Sequence, residues 1–391
     1  MKILVVFNRN PFYVDGAPSN RFRAIFEGLA LRKVKVHIII TAGYFEWGEY
    51  LFHNRYKYPK NIFIHYIGFP FLLRSIKRIK YQSLRRRLII NKQKELQAKI
   101  NFDYGWITYG LKNDVYLESI DLFKREGAKI IQEMSEHPVL FMSKNEYNKY
   151  LKLICPQIDI MFLMTNSLLN FYSKYIQSSK LYHIPMTVDI ERFNKTYLKS
   201  DRIEQVITYV GLMNNKKDGV DILIKAFAIV IKEFKNVKLR LIGPKKPEKD
   251  YLEQLEIIKR EQLGYYVDYL GKIPREEIPN LLIDSDCLVL ARPDSKQAQY
   301  GFPTKLGEYL ATSNPVVVTS VGEIPFYLKD NVNAFVAKPD DVVDFANKIS
   351  NALRDTENAS KIGRKGFEIA NKHFNAEIQS SQMFKVLKEN I

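Results

Sequence analysis

The chain has 391 residues, 46% of them hydrophobic, with a formal net charge of +17 and a pI near 9.5. That length exceeds what a single hydrophobic core usually fills, so two domains are expected. No apolar run approaches the ~20 residues needed to span a bilayer, and the apolar start Met1 to Phe7 is too short for a signal-peptide core. The two cysteines, Cys155 and Cys287, stand in separate halves without metal-ligand spacing, which argues against a disulfide framework and for a reducing, cytoplasmic setting. The charge calls for a polyanionic partner: nucleic acid, anionic lipid or a pyrophosphate-bearing substrate.

In the first half, short apolar runs alternate with amphipathic stretches, the pattern of a parallel sheet covered by helices. Strands are expected at Ile3 to Phe7, Val34 to Ile40, Gly105 to Thr108, Lys129 to Gln132, Ile158 to Met164 and Tyr182 to Ile184, with helices near Ser19 to Leu31 and Ser167 to Ile176. The loop Asn8 to Arg21 follows the first strand, with Gly16 its best backbone candidate and Arg21 a cation. The segment Arg74 to Lys99 holds ten basic residues and one acidic residue, Glu95. Apolar Ile76, Ile79, Leu84 and Leu88 recur there at helical spacing, behind Phe69, Phe71, Leu72 and Leu73. A basic amphipathic element after a hydrophobic knob suits an anionic bilayer surface, or equally a solvated helix face. Gln132 to Pro138 follows a predicted strand and places Glu133, Glu136 and His137 in a loop, where they are candidates for proton transfer.

The second half repeats the architecture. Strands are expected at Val206 to Val210, Val237 to Ile242, Val267 to Leu270, Cys287 to Ala291, Val316 to Thr319 and Ala334 to Val336. Helices fall near Val220 to Lys235, Tyr251 to Glu261, Arg275 to Ile283 and Asp341 to Asn351. The boundary is expected around Pro185 to Ser200, and Asn375 to Ile391 reads as a helix. The fold class is therefore α/β: two doubly wound, Rossmann-like domains, with ligands bound beyond the carboxyl ends of the strands.

The most informative stretch is Gly301-Phe302-Pro303-Thr304-Lys305-Leu306-Gly307-Glu308-Tyr309-Leu310-Ala311. A proline sits just inside a helix start behind a glycine, and Glu308 lies one turn after Thr304 on the same face. Helix N-termini present N–H groups to phosphate, and a carboxylate takes sugar hydroxyls, which together describe a nucleotide-sugar. The charge of a departing diphosphate then needs a protein counterpart: the loop after Gly211, Lys217, or the amides around Thr304 and Leu306.

This stretch resembles the donor-site signature of the retaining, GT-B-fold glycosyltransferases of family 4. Further matches are Tyr209-Val210-Gly211, Lys217-Asp218-Gly219-Val220-Asp221 through Phe227, Leu241-Ile242-Gly243, Tyr269-Leu270-Gly271, and Ile184-Pro185 with Val188-Asp189 and Phe193. The resemblance implies a GT-B architecture with residues 1–187 as the acceptor-side domain, 188–374 as the nucleotide-sugar-binding domain, and 375–391 as a helix returning to the first. It implies that Lys217 contacts the diphosphate and Glu308 the ribose, and that backbone around Ile273 reads the base. Gly211, Gly301, Phe302, Thr304 and Lys305 join the donor site, as does Gly16 from the first domain. His137, with Glu133 or Glu136, would stand near the reacting sugar and acceptor hydroxyl. Two positions depart from the family pattern. Tyr300 stands where the first glutamate of the family's paired-glutamate motif falls, leaving Gln299 and nearby amides to hold the sugar, and Leu212 stands where many relatives carry an arginine. Arg292 is the replacement cation, or else pairs with Asp294 or makes another loop contact.

The implied activity is a metal-independent hexosyltransferase moving sugar from a UDP- or GDP-sugar to a glycan or polyprenyl-diphosphate acceptor in surface polysaccharide assembly. Its expected place is the cytoplasmic face of the cell membrane, through Arg74 to Lys99. Alternatives are a nucleotide-sugar-binding partner without catalysis and a sugar-nucleotide epimerase of the same fold. Asp284-Ser285-Asp286 imitates a metal-binding Asp-x-Asp, but it sits between a helix and a buried strand with no second ligand cluster and is not assigned to metal. No nucleic-acid module accompanies the basic run.

Overall fold

The computed structural model describes residues 1–14, 16–44, 46–68, 78–108, 111–194 and 201–391. The chain divides into two compact units, Met1–Pro185 with Ala376–Ile391, and Met186–Asn375. Each is an α/β unit around one parallel sheet, in line with the expected fold class.

The first unit contains β1 (Lys2–Phe7), β2 (Lys35–Ile40), β3 (Ile62–Tyr66), β4 (Tyr104–Ile107), β5 (Lys129–Met134), β6 (Ile160–Leu163) and β7 (Leu181–His183), in sheet order β3-β2-β1-β4-β5-β6-β7. Its helices are α1 (Ala17–Leu31), α2 (Trp47–Arg55), α3 (Arg78–Gln97), α4 (Asn113–Arg125), α5 (Lys144–Lys149), α6 (Asn166–Tyr172) and the C-terminal α16 (Ala376–Glu389). Ile3 to Val6 and Ile38 to Ile40 are fully buried, because a parallel sheet covered on both faces makes its strands read as unbroken apolar runs. The helix α16 packs on α1, and the Tyr104 hydroxyl donates to the Leu387 carbonyl at 2.6 Å.

The second unit contains β8 (Gln205–Val210), β9 (Val237–Ile242), β10 (Val267–Gly271), β11 (Cys287–Leu290), β12 (Val316–Thr319) and β13 (Phe335–Ala337), in order β10-β9-β8-β11-β12-β13. Its helices are α7 (Asn215–Asp218), α8 (Val220–Glu233), α9 (Glu248–Arg260), α10 (Ile278–Ile283), α11 (Lys296–Tyr300), α12 (Thr304–Ala311), α13 (Ile324–Tyr327), α14 (Val342–Arg354) and α15 (Thr356–Ile369). In both sheets strand order reverses beside the first strand, which places loops after β1 and β4, and after β8 and β11, at the switch points where open sheets bind ligands.

Several expectations are corrected. β3 was not anticipated. β5 runs on to Met134, which pairs with Leu163, so Glu133 lies inside a strand and not in the loop after it. α6 stops at Tyr172 and α10 begins only at Ile278, after a turn that opens at Pro274. In the basic segment, Phe69 to Lys77 lies outside the described residues. The remainder is α3, and much of its charge is turned to neighbours within the unit: Arg86 pairs with Asp114 and Glu118, Lys92 and Lys99 share Glu95, and Arg85 reaches Thr41 and Asn8. Arg87 and Lys94 stay exposed.

The neighbouring strands β2 and β3 bring His37 Nδ1 to 3.1 Å from His65 Nε2, with the rings stacked. Burial holds both imidazoles down at about 4, helped for His37 by His65 and for His65 by Lys92. The folded pKa lies below the ordinary value of 6.5, so the unfolded chain binds protons first as pH falls. Stability of the first unit is accordingly expected to decline from about pH 6.5 toward 4. Urea midpoints at neutral and acid pH check this: the acid shift should shrink in His37→Phe, and an equal shift in both proteins would refute it.

Candidate functional site

The carboxyl end of β8 gathers the site of the second unit. Gly211 follows the strand and its N–H donates to the Ile242 carbonyl at 2.8 Å, which holds the loop against β9. Lys305, in the first turn of α12, reaches back to this point. Its Nζ lies 2.8 Å from Asp218 Oδ2 and donates to the Tyr209 hydroxyl at 3.0 Å. A Cβ on residue 211 would fall 2.3 Å from that Nζ and 2.5 Å from the Tyr209 oxygen, so only glycine leaves room for the ammonium. The Tyr209 hydroxyl also lies 2.7 Å from the Leu212 carbonyl and 3.0 Å from Asp218 Oδ2. Tyr309, one turn along α12, accepts from the Val210 N–H at 2.7 Å and fixes the helix to the strand end.

α7 ends at Gly219 in a left-handed conformation (φ 66°), and a Cβ there would stand 1.8 Å from the Ala291 carbonyl oxygen. That close approach sets the end of α7 against the loop after β11, where Arg292, 3% exposed, donates through Nε to the Lys217 carbonyl at 3.3 Å. The Lys217 N–H is capped by Asn214 Oδ1 at 2.8 Å. Gly211, Lys217, Arg292 and Lys305 therefore form one cluster. Asp218 and Tyr209, which were quoted in sequence only as parts of motifs, complete it. Burial pushes the Asp218 carboxyl up, but Lys305 and then Arg292 and Lys217 outweigh it and leave the carboxyl below its ordinary value. Burial likewise holds the Lys305 ammonium below the ordinary lysine value, against the pull of Asp218. Three cations against one carboxylate leave an excess of positive charge at the switch point of the sheet.

Glu308, one turn along α12 from Thr304, is held by Arg192 Nη1 at 2.6 Å, and Arg192 Nη2 donates to the Arg275 carbonyl at 2.9 Å. A single arginine thus ties Glu308 to the turn that follows Ile273. Sequence reasoning passed over Arg192, although it sits in the quoted stretch between Asp189 and Phe193. Pro303 is the N-cap residue of α12 and no side chain caps that end. Phe302 is buried, its ring centroid 5.1 Å from that of Phe374, and Gly301 closes α11. Gln299 donates to Asp294 Oδ1 at 2.6 Å. Arg292 turns its Nε to the Lys217 carbonyl.

In the first unit, Gly16 is the exposed N-cap residue of α1 at φ 140°. Arg21 is 2% exposed; its Nε donates to Glu133 Oε1 at 2.9 Å, and its Nη atoms to the Pro185 and Ile184 carbonyls at 2.6 and 3.0 Å. Glu133 is fully buried, and burial raises its carboxyl despite Arg21. His137 accepts the Val139 N–H through Nδ1 at 3.2 Å and packs its ring on Phe171. A neutral ring in that role carries its proton on Nε2, which makes Nε2 a donor. Glu136 stands next to it, half-buried.

A family profile described as "Glycosyl transferases group 1" matches residues 204–355. Among solved structures, the chain is similar to HepE of Anabaena, in complex with UDP and glucose, at TM-score 0.76 and 17% identity over 100% of both chains. It is similar to a sucrose-phosphate synthase of Thermosynechococcus elongatus at TM-score 0.73 and 18% identity over 100% of this chain and 99% of that one. A glycosyltransferase of Rickettsia africae matches at TM-score 0.76 and 16% identity, over 99% and 98% of the two chains. By sequence, no curated protein matches the chain. The chain thus has the GT-B fold, and the group 1 glycosyltransferase profile matches within its second unit.

Removing one member of the buried pair is expected to cost far more than removing both. Asp218→Ala should destabilise the second unit by about 3–5 kcal/mol by leaving Lys305 buried and unpaired, while Asp218→Ala/Lys305→Met should recover most of that loss. A denaturant double-mutant cycle measures it, and additive losses would count against the coupling.

Proposed function

We propose that the protein is a glycosyltransferase that moves a hexose-type sugar from a UDP- or GDP-sugar to a glycan or lipid-linked acceptor, with retention of anomeric configuration and without a metal ion. The observation that carries this reading is the cluster of Lys217, Arg292 and Lys305 around Asp218, at the carboxyl ends of β8 and β11. When the bond between the anomeric carbon and the diphosphate oxygen breaks, negative charge collects on the leaving oxygens as the sugar becomes cationic. Fixed cations in a buried site stabilise that charge without reorganising at the moment of reaction. Arg292 supplies the charge that relatives place at position 212, where this chain has Leu212.

Glu308 accepts the ribose hydroxyls, its carboxylate aimed by Arg192, and backbone around Ile273 meets the base. Thr304 and the uncapped start of α12 lie toward the phosphates, with Gly301 and Phe302 shaping the approach and Gln299 turned to the sugar. In the first unit, Gly16 opens α1 and offers its backbone to a phosphate oxygen. His137 offers its Nε2 proton to a sugar hydroxyl, and Glu136 takes the acceptor proton. Glu133, locked to Arg21, positions this strand end and takes no part in proton transfer. The UDP and UDP-glucose named for the similar HepE structures make uridine nucleotides the first donors to try. The exposed Arg87 and Lys94 of α3 support a peripheral place at an anionic membrane, where a polyprenyl-diphosphate acceptor would be presented.

Thermal stabilisation by a panel of UDP-, GDP- and ADP-sugars tests the reading. A ligand that binds only the folded state adds about 2.7 kcal/mol at a hundred times its Kd. One nucleotide class is expected to stabilise the protein, with binding weakened about 10- to 100-fold in Lys217→Ala and in Glu308→Ala. Stabilisation without sugar transfer to any acceptor would favour a binding protein; no stabilisation by any donor would sink the reading.

A further inference from the structure

Several buried or half-buried arginines among the described residues face a carboxylate: Arg21 faces Glu133, Arg192 faces Glu308, and Arg202 faces Asp284 and Asp286. Arg85 does not. Half-buried on α3, it donates through Nε to the Thr41 carbonyl at 2.8 Å, and through Nη2 to Thr41 Oγ1 at 3.2 Å and Asn8 Oδ1 at 3.1 Å. Among the described residues no carboxylate lies within ion-pair distance of it, whereas its neighbour Arg86 has two, Asp114 and Glu118. Burial draws the Arg85 guanidinium below the ordinary arginine value, with Tyr81 opposing it.

Withdrawing an unpaired guanidinium from water is costly, and neutral oxygens do not replace a counter-ion. They do orient it. Among the described residues the planar fork is held along its Nε–Nη2 side, which leaves Nη1 and its two hydrogens open. The place is telling as well: Asn8 follows β1 and Thr41 follows β2, so the guanidinium sits at the carboxyl edge of the sheet, and β1 borders the point where strand order reverses toward β4. Ligands of open parallel sheets bind at that edge. A preorganised, uncompensated arginine there, with both Nη1 hydrogens to donate, suits a phosphoryl oxygen.

We infer that Arg85, anchored by Thr41 and Asn8, is the recognition residue of a phosphoryl-binding site in the first unit and takes a phosphate or diphosphate group carried by the acceptor. Arg85 is thereby withdrawn from the solvent-facing basic surface to which its place in the sequence assigns it. The word acceptor rests on the transferase reading; the phosphoryl site does not.

Phenylglyoxal labelling of the intact wild-type chain, mapped by mass spectrometry, tests the site without any substitution. Inorganic pyrophosphate is expected to slow labelling of Arg85 severalfold and to leave Arg86 unchanged; equal labelling of Arg85 at every pyrophosphate concentration would overturn the inference. Calorimetry separates the two units. Arg85→Gln should lose one class of pyrophosphate site and keep UDP-sugar binding, Lys217→Ala should do the reverse, and Arg85→Lys should restore binding only in part. An unchanged isotherm in Arg85→Gln sinks the phosphoryl site even where UDP-sugars bind, while protection of Arg85 without any nucleotide-sugar binding sinks the transferase reading alone. Geranyl diphosphate and phosphatidylglycerol vesicles distinguish the source. Protection by the former supports an acceptor phosphoryl group, and protection by vesicles alone would overturn it in favour of a headgroup.

Discussion

Lys305 carries a positive charge into a largely enclosed place, its side chain 16% exposed, and Asp218 makes that tolerable. The rest of the β8 edge is arranged around their contact. Glycine at 211 gives the ammonium its space, Tyr209 supplies a second oxygen, and the left-handed turn at Gly219 delivers the carboxylate from α7. Tyr309 clamps the helix that bears Lys305 onto the strand end. A buried pair of this kind adds little net stability, because desolvation offsets most of its attraction. What it fixes is geometry. With one carboxylate among three cations, the cluster stays net positive and already faces the direction in which an anion would arrive, which is the condition for electrostatic preorganisation.

The first unit uses the same physics to a different end. Arg21 joins Glu133 on β5 to the carbonyls of Ile184 and Pro185 just beyond β7, so a single side chain sets the relative heights of two strand ends. Glu133 Oε2 is buried without a hydrogen-bond partner among the described residues, in keeping with a carboxyl that burial drives upward. Fully enclosed, it is no base for an incoming hydroxyl. It serves by holding the start of the loop from which Glu136 and His137 emerge. The ring of His137, seated on Phe171 and oriented by the Val139 N–H, is thereby the better-defined polar group of that loop.

How much of this was legible in the sequence depends on the distance between partners. The doubly wound fold was readable because strands buried on both faces are unbroken apolar runs, as in Ile38 to Ile40 or Val316 to Val318. β3 escaped because His65 interrupts its run, and that histidine is accommodated only by His37 on another strand. The motif residues Gly211 and Gly219 were legible as positions, because glycine marks a close approach of the backbone wherever it falls. Asp218, Arg192 and Arg85 were not: each takes its meaning from a partner far along the chain, in Lys305, Glu308 and Thr41. The end of β5 was misplaced for a related reason, since only pairing with β6 keeps Glu133 and Met134 in the ladder.

The net charge of +17 reads differently once each cation is followed to its partner. Arg202 and Arg240 are taken up by Asp284, and Arg202 also by Asp286, whose carboxylate in turn receives the Val206 N–H. The acidic pair that imitates a metal motif is thus an arginine clamp at the start of β8 and β11. Lys92 and Lys99 close on Glu95, and such exposed pairs contribute little to either stability or long-range attraction. The positive charge most able to act on a ligand is a small part of the total: Lys217, Arg292 and Lys305 in one unit, Arg85 in the other. All four stand where parallel strands end. A sequence-level charge run therefore overstates the surface and understates the sites, because burial, not abundance, decides how strongly a cation is felt.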